Sequence, residues 1–284
     1  MGIFEKLQHI DRRVMYVLLA LVLAAPLIWV WGQPIEVSPA VRKAYDTIEK
    51  MPSDKVAIIV IYWGSGTIAE NRPQTEAIMR HLFELNKKFA ILAFSPEGST
   101  FALDSAKTLA AQMGKKYGTD WVHLGYKPPA NLVPLVQSFP RNVNRALVAD
   151  KDGTPLSKIP MMRGVKDIHD IGLIADTTSV GELDVWIAYV YGPYRTPIVY
   201  APTAVIAPEA FNPLDAGQIK GLLPGLQGAA AYERLLGRAG FATKAMGALS
   251  TSHILIILLI IAGNVGYISS LRRRRREGET GPGG

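Results

Sequence analysis

Residues 56–62 read Val56-Ala57-Ile58-Ile59-Val60-Ile61-Tyr62, an apolar run with no polar alternation. A strand with one wetted face alternates apolar and polar side chains. A continuous run therefore predicts a strand buried on both sides, as in a parallel sheet covered by helices. A turn follows, Trp63-Gly64-Ser65-Gly66-Thr67-Ile68-Ala69, and then a helical pattern. Parallel strands need such crossovers, and the same alternation recurs along the chain.

Working outward, further strands are expected at Phe89–Ser95, Trp121–Tyr126, Ile171–Asp176, Pro197–Ala201 and Ile219–Leu223. Helical patterns fall between them at Pro73–Lys87, Thr100–Tyr117, Leu132–Gln137, Glu182–Tyr191 and Gly228–Leu236, with a short turn near Val165–His169. Asn71 is placed to cap the first helix and Pro73 to sit in its opening turn, which leaves Trp63–Glu70 as a loop. Asp150–Pro160, rich in Pro, Gly and charge, reads as a surface loop between the halves of the sheet. Glu36–Ser53 reads as a short polar helix closed by Pro52. The fold class is α/β: a mainly parallel six-stranded Rossmann-like sheet with helices on both faces, flanked by two transmembrane helices.

The flanking helices come from two uncharged apolar runs, residues 14–35 and 245–271, each at or above the roughly 20 residues a membrane-crossing helix needs. Lys6, Arg12 and Arg13 precede the first, and Arg272–Arg276 follow the second. Cytoplasmic flanks collect Lys and Arg, so this places both termini in the cytoplasm and residues 36–244 outside it. The expected organisation is a cytoplasmic N-terminus (1–13), a first transmembrane helix (14–35), an extracytoplasmic α/β domain (36–244), a second transmembrane helix (245–271) and a tail (272–284), basic and then disordered. Trp29 and Trp31 suit an interfacial belt. A secretory signal is the alternative for the first run, but its length and the lack of a small-x-small cleavage pattern favour an anchor. Within the runs, Ala20/Ala24 and Ala262/Gly266 form small-xxx-small pairs, and Asn264 is placed to bond across a helix interface.

The formal net charge of +7 belongs mostly to the tails, because residues 36–244 carry 23 Lys and Arg against 20 Asp and Glu. With no basic stripe and no interleaved aromatics, nucleic-acid binding is not expected. The expected partners are the lipid bilayer, membrane proteins or a second copy of the chain, and a small polar ligand. The absence of cysteine removes disulfides, thiolate zinc sites and thiol catalysis. The five histidines show no metal spacing, and Asp150-Lys151-Asp152-Gly153 imitates the start of a calcium loop without its later ligands. No metal and no cofactor is expected.

Gly64-Ser65-Gly66-Thr67-Ile68-Ala69 has the spacing G-x-G-x-x-A of dinucleotide folds, where glycines admit a pyrophosphate to backbone amides at a helix start. A helix beginning only near Asn71, and Glu97 as the nearest acidic candidate past the second strand, farther on than the usual ribose-binding position, both weaken the match. Loops after parallel strands share one edge of the sheet, where ligands usually sit. Ser65, Gly66, Thr67, Asp176, Thr177 and Thr203 are therefore the candidate ligand-binding residues. Ser65 and its neighbouring amides would donate and Asp176 would accept, each lying just beyond a strand end. Asp176 read instead as a helix cap is the bland alternative. No nucleophile elbow, triad or metal cluster is visible, so no catalytic residue is assigned.

The phrases IPMMRGVKDIHDIGLIADTTS (159–179) and GLLPGLQGAAAYERLL (221–236) resemble those of an uncharacterised bacterial family of membrane-tethered α/β proteins without an assigned activity. The resemblance implies a bacterial envelope setting and carries no site residues with it. The expected function is non-catalytic, an envelope binding or scaffolding protein or an accessory subunit of a membrane complex. The alternatives are a small-ligand sensor using the strand-end crevice and an envelope hydrolase or transferase.

Overall fold

The run 56–62 forms strand β1 (Val56–Tyr62), of which all but Tyr62 is buried. It lies at the centre of the sheet in a computed structural model that describes residues 12–28 and 35–279. The chain divides into two units, residues 35–243 and the two ends.

In residues 35–243, α1 (Pro39–Glu49) precedes β1, and then come α2 (Ile68–Glu84), β2 (Lys88–Ala93), α3 (Pro96–Met113) and β3 (Trp121–Tyr126). The crossover to β4 (Ile171–Thr178) carries α4 (Leu132–Ser138), α5 (Val143–Leu147) and four 3-10 turns in place of one long helix. After β4 come α6 (Leu183–Trp186), a π-turn (Ile187–Tyr191) and α7 (Gly192–Tyr194), then β5 (Ile198–Pro202), α8 (Phe211–Asp215), β6 (Gly221–Leu222) and α9 (Gly225–Leu235). All six strands are parallel, in the order β3-β2-β1-β4-β5-β6. The sheet is thus wholly parallel, and strand order reverses between β1 and β4.

Because side chains alternate across a strand, each strand feeds two cores. Val56, Ile58, Val60, Leu92, Leu124, Ile174 and Ile198 pack with Leu135, Phe139, Leu147, Trp186 and Leu214 of the crossover and the later short helices. Ala57, Ile59, Ile61, Ile91, Leu173 and Val199 pack with Ala44, Ile48, Ile78, Leu82, Ala106 and Tyr232 of the long helices. Gly221 lets α1 close on β6, since a Cβ there would stand 2.2 Å from Ala44 Cα. The core histidines are spent locally. His81 Nδ1 meets Tyr232 Oη at 2.6 Å, and His123 Nδ1 accepts from Gly125 N at 2.9 Å.

One expectation fails at the first crossover. The helix begins at Ile68, not near Asn71, after a single 3-10 turn over Ser65–Thr67. Pro73 lies inside it, and Asn71 caps nothing. The reason is tertiary: the Asn71 amide is buried and donates to Thr178 O at 3.0 Å.

In the other unit, the helix Phe241–Glu279 contains one stretch, Phe241–Ser269, long and apolar enough to cross a membrane, with mean hydropathy 2.2. It starts before Ala245 and continues in helical backbone through the arginine block to Glu279, so the tail is helical further than expected. The N-terminal helix spans Arg12–Ile28, 17 residues with Pro26 inside. Among the described residues there is one candidate transmembrane helix, and the described part of the first run does not by itself reach the length of a span. Trp29, Trp31 and the end of the first run lie outside the described residues. The two helices touch near Gly247, where a Cβ would stand 3.3 Å from Pro26 Cβ, and Thr251 Oγ1 donates to Val22 O at 3.3 Å. Gly263 faces open space, and Asn264 Nδ2 donates to Ile260 O of its own helix at 2.9 Å rather than across an interface.

Candidate functional site at the carboxyl edge of the sheet

The reversal of strand order between β1 and β4 makes their carboxyl ends the place where open α/β sheets hold ligands. The candidate residues do meet at this edge, but in different ways. Ser65, Gly66 and Thr67 follow β1, and only Ser65 and Gly66 are exposed. Thr203 follows β5 and is buried, its N–H donating to Thr178 O at 3.0 Å. Asp176 and Thr177 lie inside β4, not beyond it, and as neighbours in a strand they face opposite layers.

On the long-helix side, the edge is closed by the protein's own polar groups. Thr177 Oγ1 donates to Val60 O at 2.8 Å and accepts from Trp63 Nε1 at 3.2 Å. Gln74 Nε2 reaches Pro202 O at 2.8 Å and Leu223 O at 2.7 Å, while Asn71 Nδ2 holds Gln74 Oε1 at 2.9 Å. Carbonyls at the ends of β4 and β5 and just past β6 thus receive their hydrogen bonds from side chains of α2. All of these side chains are buried.

With the helix starting at Ile68, the glycine turn has the strand-turn-helix form of a dinucleotide loop, yet it holds a carboxylate. Glu97 Oε2 accepts from Ser65 N at 2.6 Å, and these bonds from Ser65 hold its carboxyl below the ordinary range. Glu70 Oε2 accepts from Ala204 N at 2.8 Å and stands where a Cβ on Gly225 would fall, 2.6 Å away. Two negative charges occupy the amides of this edge. A pyrophosphate at these amides would have to displace both carboxylates, of which Glu97 is exposed.

On the opposite face Asp176 is fully buried, and Glu182, 5% exposed, lies against it. None of the four carboxyl oxygens receives a well-formed hydrogen bond from another described group. Burial pushes the Asp176 carboxyl well above the usual range, and the Glu182 charge adds to it. Burial also pushes Glu182 up to about 7, opposed by the nearby Thr178 hydroxyl. Two negative charges side by side in this buried position are disfavoured, so burial and mutual repulsion hold the pair toward its protonated forms. Asp176 caps no helix. Such a dyad has the composition of an acid–base pair, but it lies inside the core.

Glu182, Glu70 and Gln74 escaped the sequence reading, and Glu97 enters it only as a distant acid and not as the partner of Ser65. Glu182 has a weak signal, an acid six residues past Asp176 across a Ser-Val-Gly turn, while the others show their role only through contacts far apart in sequence.

Comparison with protein-family models, curated proteins and solved structures finds no significant match. The resemblance of residues 159–179 and 221–236 therefore rests on those phrases alone.

Proposed function

We propose that the chain is a membrane-anchored α/β domain that works by holding other envelope proteins, as a scaffold or accessory subunit, and not by chemistry at the strand-order switch. The observation behind this reading is the occupied edge: the amides and strand-end carbonyls that would bind a ligand are bound by Glu97, Glu70, Asn71 and Gln74. The same occupancy argues against the ligand-sensor and hydrolase alternatives at that crevice. The apolar stretch Phe241–Ser269 supports the anchor. The placement of both termini in the cytoplasm, with a second anchor at residues 14–35, rests on the basic flanks Lys6, Arg12, Arg13 and Arg272–Arg276.

The chain has no cysteine, so single cysteines report topology cleanly. Asp152→Cys should react with a membrane-impermeant maleimide from outside, and Gly283→Cys only after permeabilisation; the reverse pattern ends the topology. For the function, the full chain extracted in mild detergent should retain membrane-protein partners in fixed stoichiometry, unaffected by Ser65→Ala. A stoichiometric small molecule that is lost on Gly66→Trp would replace scaffolding with ligand sensing.

A further inference from the structure

A second cavity lies away from the strand-order switch. It opens at Lys127, the residue after β3 on one border of the sheet, and has a volume of about 660 Å³. That is within the range of small-molecule sites, roughly 300–1,000 Å³. Its wall is apolar where α4 and α5 supply Leu135 and Leu147, with Val148 beside them. Its rim carries Lys127, Arg141 and Arg145.

Among the described residues none of these three cations has an ion-pair partner. The one acid in the lining, Asp150, keeps its negative charge, its carboxylate accepting from Asp152 N at 2.9 Å, Thr154 N at 2.8 Å and Tyr117 Oη at 3.0 Å, so the three cations outnumber it. Burial lowers the Lys127 ammonium with no carboxylate to offset it. Val148, β-branched and 65% exposed, is held at φ 59° and ψ −63°, a conformation such residues rarely adopt. Here three unpaired cations converge on a hollow with an apolar wall.

We propose that this cavity binds an amphipathic organic anion, with Lys127, Arg141 and Arg145 taking a phosphate or carboxylate head and Leu135, Leu147 and Val148 an apolar body. Guanidinium groups match such heads through paired, charge-assisted hydrogen bonds. The site is independent of the scaffolding reading, since it needs neither a protein partner nor the switch crevice. The head group has two sources, a soluble metabolite or an anionic lipid.

The test is calorimetric titration of the full chain in phosphatidylcholine nanodiscs. Hexyl phosphate should bind saturably at one site, inorganic phosphate more weakly for want of the apolar body, and hexyltrimethylammonium not at all. Arg141→Gln/Arg145→Gln, two exposed positions, should weaken hexyl phosphate by roughly 10- to 100-fold. Arg42→Gln/Lys43→Gln, the same loss of charge on α1, which packs in the other layer, should leave it unchanged. In discs containing phosphatidylglycerol, a drop in affinity for hexyl phosphate marks a lipid headgroup as the competitor, and unchanged affinity marks a soluble anion; both keep the site. Absence of saturable hexyl phosphate binding, or equal affinity in wild type and the double arginine variant, overturns the proposal.

Discussion

Asp176 and Glu182 show how one pair of side chains couples the core to pH. A carboxyl whose folded pKa is raised binds its proton more tightly in the folded chain than in the unfolded one. Its contribution is complete below the ordinary carboxyl range and is lost as pH rises through the folded value. For this pair the window runs from about pH 4.5 to beyond 7, because burial pushes Glu182 up to about 7 and raises Asp176 as well. His123 acts in the opposite direction over part of the window: burial lowers it to about 4, so its neutral form favours folding as pH rises. The net curve mixes the two, and only a difference between variants isolates the acids. Asp176→Asn/Glu182→Gln removes both charges at nearly constant shape. At pH 8 it should be more stable than wild type by about 3 kcal/mol, with the gap closing toward pH 4.5. Thermal unfolding followed by tryptophan fluorescence across that range decides it. A gap that does not depend on pH would mean that the pair does not hold an extra proton.

At the scale of elements, α2 acts as a lid on the strand ends. Its buried amides donate to strand-end carbonyls, Gln74 to Pro202 O and Leu223 O, and Asn71 to Thr178 O, which also accepts from Thr203 N. A buried carbonyl without a donor costs about 1–3 kcal/mol. Gln74→Leu, similar in size and without a donor, should therefore lower the unfolding free energy by about 3 kcal/mol, read as a shift of the denaturant midpoint. An unchanged midpoint would mean that water replaces the amide and that the edge is more open than its packing indicates. A second element-scale device sits at residues 240–243. Glu233 of α9, 7% exposed, accepts from Gly240 N at 2.8 Å, Ala242 N at 3.1 Å and Thr243 N at 2.8 Å. It supplies the acceptors that the first turn of the helix starting at Phe241 lacks within itself.

At the scale of the whole molecule, residues 35–243 hold both hydrophobic cores and every strand found among the described residues. A chain cut to residues 35–243 should therefore fold alone, with one cooperative transition and a melting temperature within a few degrees of the intact protein. Failure to fold, or a broad non-cooperative transition, would show that the flanking helices contribute to the core. The scaffolding proposal needs such a self-sufficient body, because a domain that leaned on its anchors could not present a fixed surface to partners.

By itself the sequence determined what depends on short stretches of chain. Continuous apolar runs announced the strands, with β1 and β3 at their observed limits, and the absence of alternation implied a parallel, doubly covered sheet. The edge that gathers Ser65, Thr67 and Thr203 followed from the same argument, since parallel strands end together. The tertiary structure alone decided the strand order, the start of α2 and what the candidate residues do. Ile68 opens a helix despite Pro73 because Asn71 and Gln74 must reach strand ends more than 100 residues away in sequence. Asp176 looked like a ligand acid at a strand end. Its partner Glu182 is near in sequence, yet only the fold turns both acids into the same core and removes the water that would keep them ionised. Hydrophobic pattern reports how far each residue is from solvent, whereas hydrogen-bond partners and proton affinities depend on which distant groups the fold brings within about 3 Å.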